Sequence, residues 1–216
     1  MKIGILGTGM VGNSIGTKLA QLGHEVKMGS RTANNEKAAA WVKSTGAKAS
    51  QGTFAEAAAF GEIVFNCTKG DASLEVLRQA GATNLKGKVL VDVSNPLDFS
   101  KGMPPSLSVC NTDSLGEQIQ RAFPGTHVVK SLNTMNCILM VNPSMVAGGN
   151  HDVFLCGNDA SAKQRVTNLL KDEFGWTSVI DLGDITAARA VEMLLPIWLR
   201  LMGLYKSPNF NFKIVR

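Results

Sequence analysis

Two hundred and sixteen residues, 44% of them apolar and 18% charged, can bury a substantial core, which excludes an intrinsically disordered chain and a disulfide-stapled mini-domain. The length fits one domain, or one with a small appendage, since domains run about 50–250 residues. Twenty-two basic against 17 acidic residues give a formal charge of +5, which favours anionic partners and leaves nucleic acid, membrane headgroups and phosphorylated cofactors open.

Over residues 1–131, short β-type runs alternate with helical patterns, the order that builds parallel strands joined by crossover helices. Residues 2–6 read as a buried strand. From Val11, the residues Ile15, Leu19 and Leu22 fall at helical spacing, and Gly23 stands as a stop signal before a strand at 25–28, closing a βαβ unit. An Ala-rich helix (35–44), a short strand near Ala47, a second Ala-rich helix (54–60) and a strand at 63–67 continue the pattern. A helix at 74–80 and a strand at 89–93 follow. Gly102, Pro104 and Pro105 then mark an irregular stretch read as loop, before a helix at 114–122 and a strand at 127–131. Beyond residue 131 the pattern predicts a short helix, a strand at 153–156, a helix at 160–174, a strand at 178–181 and a last helix from near Asp184. Pro196 removes one backbone hydrogen bond from that last helix, so a kink is predicted there.

Gly7-Thr8-Gly9-Met10-Val11-Gly12 matches G-x-G-x-x-G directly after the first strand and opens the first helix. In that context Gly7 permits a tight turn, Gly9 lets the backbone approach a pyrophosphate, and Gly12 lets helix and strand pack closely. The pyrophosphate would lie against the free N–H groups and positive end of the helix. A glycine-rich turn without a ligand is the plain alternative. The second strand ends Lys27-Met28-Gly29-Ser30-Arg31-Thr32. An NAD enzyme places Asp or Glu about 20 residues past the glycines to hold the ribose 2′-hydroxyl, whereas Arg suits a 2′-phosphate. Glu25 lies too early, while Ser30 and Arg31 offer a hydroxyl and a guanidinium fork. NADP(H) is therefore the predicted nucleotide, with Lys37 as a second cation.

Ligands of open parallel sheets bind outside the carboxyl ends of the strands. Three further strand ends then add Thr68 and Lys69, Ser94, Asn95 and Pro96, and Asn133. Asn95 carries an amide suited to ribose or to the nicotinamide carboxamide, although Ser-Asn-Pro is also an ordinary turn signal. The fold class expected is α/β: a Rossmann-type, doubly wound, mainly parallel sheet binding NADP over residues 1–131, with a small C-terminal α/β extension over 132–216.

Cys67, Cys110, Cys137 and Cys156 are widely spaced, form no C-x-x-C pair and have no histidine at zinc-ligand spacing, so a reducing cytoplasm and no metal are expected. The apolar run at 3–6 is broken by Gly7-Thr8-Gly9, short of the about 7–15 apolar residues of a signal peptide. The stretch 191–204 is interrupted by Glu192 and Arg200 and lacks the ~20 apolar residues of a membrane span. A soluble chain with no membrane partner is expected, and no nucleic-acid partner, because the basic residues form no dense run and the chain has one Tyr.

The glycine motif, Leu22-Gly23-His24-Glu25-Val26, Gly29-Ser30-Arg31, Val91-Asp92-Val93-Ser94-Asn95-Pro96-Leu97 and Lys130-Ser131-Leu132-Asn133-Thr134 together resemble the NADPH-dependent coenzyme F420 reductases. The same domain occurs in the cytoplasmic portion of the STEAP ferric reductases. The ending, Arg189-Ala190-Val191-Glu192 through Pro196 with Phe210-Asn211-Phe212-Lys213, is similar to that family's terminal helix and tail. The resemblance covers nearly the whole chain. It implies a nucleotide-binding domain with a C-terminal extension that builds the acceptor site, a homodimer, and hydride transfer between NADPH and a planar acceptor, a deazaflavin (coenzyme F420) or a flavin. It implies cofactor contacts at Thr8, Gly9, Met10, Val11, Ser30, Arg31 and Lys37, and an acceptor contact near Phe210. Asn133 and Met135 are further candidates for the acceptor wall. The chain departs from archaeal members at Lys69-Gly70, where they carry Pro-Trp, and at Asn133, where they carry His.

Direct hydride transfer needs proximity, orientation and exclusion of water rather than a side-chain acid or base. No catalytic residue is therefore assigned, and His24, His127 and His151 stand in no Ser, Cys or carboxylate motif. A β-hydroxyacid-type dehydrogenase shares the N-terminal motif, but its large helical domain and catalytic lysine segment have no counterpart after Ser131. A non-catalytic NADP(H)-sensing module would carry the same residues, because a hydride-transfer site without acid–base groups looks like a binding site.

Overall fold

The computed structural model describes residues 1–216. The glycine motif lies between β1 (Lys2–Leu6) and α1 (Met10–Gln21), and β2 (Glu25–Ser30), α2 (Glu36–Thr45), β3 (Ala49–Thr53) and α3 (Phe54–Phe60) follow. β4 (Ile63–Asn66), α4 (Gly70–Ala80), α5 (Ala82–Leu85) and β5 (Val89–Asp92) come next. A two-stranded hairpin of β6 (Leu97–Asp98) and β7 (Ser106–Leu107) precedes α6 (Leu115–Ala122) and β8 (His127–Ser131). The remainder contains α7 (Cys137–Val141), β9 (Asp152–Gly157), α8 (Ala160–Asn168), β10 (Ser178–Asp181), α9 (Ala188–Met193) and α10 (Leu195–Tyr205).

The large sheet has the order β10-β9-β8-β5-β4-β1-β2-β3. Strands β1 to β5 and β8 run parallel, and their order reverses between β1 and β4, where a doubly wound sheet opens its ligand crevice. This is the Rossmann-type arrangement expected. β9 pairs antiparallel with β8 and β10 parallel with β9, so the strands after residue 131 extend the same sheet.

Alternate strand residues face opposite layers, which is why these short runs are apolar throughout. Ile3, Ile5, Phe65, Val91 and Val129 pack under α1, α2, α7 and α8 in a core of 28 residues. Leu6, Val64, Leu90 and Val128 pack under α3, α4, α6 and α9 in a second core of 17. Asn35, Thr53, Ser114 and Asp159 cap their helices with side-chain acceptors, and Thr53 with Glu56 forms a full capping box.

The predicted strand near Ala47 begins at Ala49, because Gly46 ends α2 with φ of 91°. The helix expected at 160–174 loosens into a π-helical turn at Leu169–Glu173. The stretch after Pro96 read as loop contains the β6–β7 hairpin, two residues per strand. The kink predicted at Pro196 is a break between α9 and α10 at Leu194, whose carbonyl still accepts from the Trp198 N–H at 3.0 Å. No helix is long and apolar enough to cross a membrane.

Candidate nucleotide-binding site

Two cavities open along the carboxyl ends of the strands, on either side of Thr68 and Lys69, which line both. The first, about 430 Å³, is walled by the Gly7–Gly9 turn, Ser30 and Arg31 at the end of β2, Asn35 and Lys37 at the start of α2, and Phe54. The second, about 630 Å³, is walled by Val11, Ser94, Asn95 and the hairpin residues Leu97 and Phe99.

The three motif glycines have different causes. Gly7 has φ of +116°, a conformation L side chains rarely adopt, in the turn held by its N–H to the Gly29 carbonyl at 3.1 Å. A Cβ on Gly12 would lie 2.2 Å from the Gly7 carbonyl oxygen, so helix and turn require its absence. Gly9 is neither strained nor crowded: its φ is −82°, and a Cβ there would meet no protein atom within 4 Å. Its bare backbone leaves room for a ligand to approach. No side chain caps α1, so the first-turn N–H groups point into that room without a partner from a cap. The Asn13 amide donates to the carbonyls of Thr8 (3.1 Å) and Gly9 (2.9 Å), which stiffens the turn.

Arg31, Lys37 and Lys69 are exposed, and no carboxylate lines the first cavity. Three cations with free helix N–H groups can hold a phosphorylated ligand. Ser30 is buried and donates its hydroxyl to the Thr32 carbonyl at 2.5 Å, so its proton is already engaged. Cys67 also lines this cavity, but burial, reinforced by the Asp92 charge, pushes its thiol well above the usual range, which makes it inert as a nucleophile.

Below the second cavity the polar groups are buried and mutually satisfied. Thr68 Oγ1 donates to Asn66 Oδ1 at 2.6 Å, and the Asn66 amide donates to Asp92 Oδ1 at 2.9 Å. Lys130 is fully buried, with Asp92 and Glu192 each 2.8 Å from its ammonium. Burial alone would lower its pKa, but the two carboxylates outweigh burial and hold it above the usual lysine value. A Cβ on Gly70 would lie 2.0 Å from the Asn95 carbonyl, so the Lys69-Gly70 departure fits a close approach of two backbone segments at this wall.

The structure brings Gly7, Thr8, Gly9, Ser30, Arg31, Lys37, Thr68 and Lys69 to the first cavity, and Val11, Ser94 and Asn95 to the second. It does not bring every candidate there. Met10 is exposed and lines neither space, and Gly12 and Pro96 are buried and line neither. Asn133 is 3% exposed, and its amide is spent on Asn95 Oδ1 and the Val191 carbonyl. Met135 is buried and belongs to the larger core. Phe210 stacks on Trp198, with ring centroids 5.5 Å apart, and lies in neither cavity wall. Sequence reasoning missed Asn35 as a site residue, whose signal was its place at the head of an Ala-rich helix, Leu97, which stood only as the end of the Val91–Leu97 run, and Phe99, which carried no signal beyond an irregular stretch.

Fold and site together define a Rossmann-type α/β protein with a basic cleft at the carboxyl ends of its parallel strands. A family model described as "NADP oxidoreductase coenzyme F420-dependent" matches residues 2–96. The F420-dependent NADP reductase of Methanocaldococcus jannaschii is 29% identical over 226 residues, covering 99% of this chain and 98% of that protein. Metalloreductase STEAP3 of Rattus norvegicus is 33% identical over 212 residues, 96% of this chain, which spans only 38% of that relative's length. A crystal structure from Arthrobacter sp. FB24, provisionally described as an F420-dependent NADP-reductase, is 54% identical with a TM-score of 0.95 and covers 100% of both chains. The chain belongs to the family of coenzyme F420-dependent NADP oxidoreductases and is an NADP-dependent oxidoreductase.

Proposed function

We propose that the chain transfers a hydride directly between NADPH and a planar acceptor, a deazaflavin such as coenzyme F420 or a flavin. The observation that carries this reading is Gly9, a glycine that neither the backbone nor any neighbouring atom requires and that faces the cavity between the two strand ends. On this reading the first cavity takes the adenosine end, with Arg31 and Lys37 pairing with the 2′-phosphate, and Lys69 and the start of α1 hold the pyrophosphate. The second cavity takes the nicotinamide end, oriented by Ser94 and Asn95, with Val11, Leu97 and Phe99 supplying an apolar wall that excludes water from the reacting rings. The bound nucleotide supplies the hydride from its nicotinamide ring. No residue of the chain moves a proton in that step, which suits a site whose buried polar groups already bond one another.

The family and the name of the archaeal relative favour a deazaflavin among planar acceptors. We further propose a homodimer formed through α10, where Ile197, Leu204 and Tyr205 are 50%, 72% and 59% exposed on a helix with one buried residue. Four free cysteines suit work in the reducing cytoplasm.

Gly9→Ala tests the cradle. Its melting temperature is expected to match wild type, since the new methyl group meets no protein atom, while NADPH affinity falls at least about tenfold for a blocked phosphate approach. Unchanged NADPH affinity by calorimetric titration would contradict the assignment.

A further inference from the structure

Both contacts that hold the Ser94–Asn95 wall from behind lead to the same short helix, α9. In the first, the Lys130 ammonium donates to Asp92 Oδ2 (2.8 Å) and to the Ser94 carbonyl (2.6 Å) and pairs with Glu192 Oε1 (2.8 Å). Asp92 Oδ1 in turn accepts from the Ser94 N–H (3.2 Å) and hydroxyl (2.6 Å). At the start of α6, the Leu115 N–H donates to Glu192 Oε2 (2.9 Å) and the Gly116 N–H to Oε1 (3.0 Å), the oxygen that also meets Lys130. In the second contact, the Asn133 amide joins Asn95 Oδ1 (2.9 Å) to the Val191 carbonyl (3.1 Å), while the Asn95 amide donates back to the Asn133 carbonyl (2.9 Å).

Three buried ionised groups are a costly way to hold a fold, because apolar side chains of similar volume often hold it as well or better. What directional bonds add is orientation: each carboxylate oxygen of Asp92 and Glu192 has a named donor, so Ser94 and Asn95 are held in one arrangement. Lys130 is no proton donor to the cavity. It is 0% exposed, and its ammonium is shared among Asp92, Ser94 and Glu192.

We propose that Glu192, acting through Lys130, and Asn133, acting through Asn95, are positioning residues by which α9 sets the wall that receives the nicotinamide end of the nucleotide. This rests on the NADPH reading above and extends it: the segment after residue 131 tunes the reacting end of the cofactor without touching it.

The test compares NADPH with 2′,5′-ADP, which carries the 2′-phosphate end and lacks the nicotinamide, on full-length wild type, Glu192→Gln and Asn133→Ala. Calorimetric titration is run at a temperature where circular dichroism reports each variant folded. Both variants are expected to bind 2′,5′-ADP as wild type does and to bind NADPH roughly 2- to 10-fold more weakly, the worth of a misdirected hydrogen bond. Single-turnover hydride transfer at saturating NADPH is expected to slow by on the order of 100-fold, because small misplacements of reacting groups are amplified in the rate. Equal loss of both ligands, or unchanged NADPH affinity with an unchanged single-turnover rate, overturns the proposal. If Glu192→Gln does not fold, Asn133→Ala, which leaves every buried charge in place, decides by the same comparison. Wild type that binds neither ligand overturns the NADPH reading itself, whereas wild type that binds both, with variants that do not discriminate, overturns the positioning alone.

Discussion

Arg31 stands exposed at the end of β2, in a cavity wall without a carboxylate, and on the proposed reading it meets the one phosphate that distinguishes NADPH from NADH. Arg31→Glu replaces that partner with a like charge. It is expected to weaken NADPH by about 1.5–3 kcal/mol, the range for hydrogen bonds to charged groups, and to leave NADH nearly unchanged. Parallel fluorescence titrations with the two nucleotides check this, and equal effects would place Arg31 away from the phosphate. The places of Arg31, Lys37, Gly7 and Gly9 at the cavity were legible in the sequence because they follow from distance along the chain to a strand end. Asn133 was legible only as a polar residue at a rim. That its amide turns inward to Asn95 and Val191 depends on α9, some 58 residues away in sequence, and no local pattern encodes it. Met135 looked the same as a pocket residue and a core residue, since both are apolar.

The helices show how far local chemistry reaches. Phe54–Phe60, His127–Ser131 and Ser178–Asp181 match their expected bounds, because the Thr53 cap marks the helix and a β-branched pair marks each strand. The β6–β7 hairpin was not legible: two-residue strands have no periodicity, and their pairing is set by the Ser108 N–H bonding the Pro96 carbonyl at 2.8 Å. At the start of α6, the bidentate contact of Arg121 with Asp113, at 3.0 and 2.8 Å, is the leading cause that holds the Asp113 carboxyl at about 2, below its usual value. A depressed carboxylate adds stability above its unfolded pKa and loses it as pH falls through the folded one. Arg121 is more than half exposed, so solvent screening limits the pair to under about 1 kcal/mol. Asp113→Asn is therefore expected to be slightly less stable than wild type in urea unfolding at neutral pH, with the difference shrinking toward zero as pH drops to about 2. A difference that persists unchanged to acid pH would mean the ion pair is not its source.

One sheet carries both halves of the chain, and the crevice at its strand ends is closed from behind by α9, which the break at Leu194 separates from the apolar α10. If α10 pairs with a second copy, Ile197→Asp with Leu204→Asp is expected to turn a dimer into a folded monomer in sedimentation analysis. A wild-type monomer at micromolar concentration would contradict the pairing. On the proposed reading, the two cavities, which share Thr68 and Lys69, together receive the nucleotide from the basic cluster at Arg31 and Lys37 to the apolar wall at Phe99. The decisive measurement is stopped-flow mixing of the NADPH-loaded chain with coenzyme F420, FMN, FAD, ferric chelates and quinones. The account predicts rapid oxidation of bound NADPH by at least one planar acceptor, the deazaflavin foremost, with deuterium from the transferred position of NADPH retained on the ring carbon of the reduced deazaflavin, which does not exchange with water as the ring nitrogen of a reduced flavin does. Tight NADPH binding with no turnover by any of them would contradict it and leave a nucleotide-sensing module in its place.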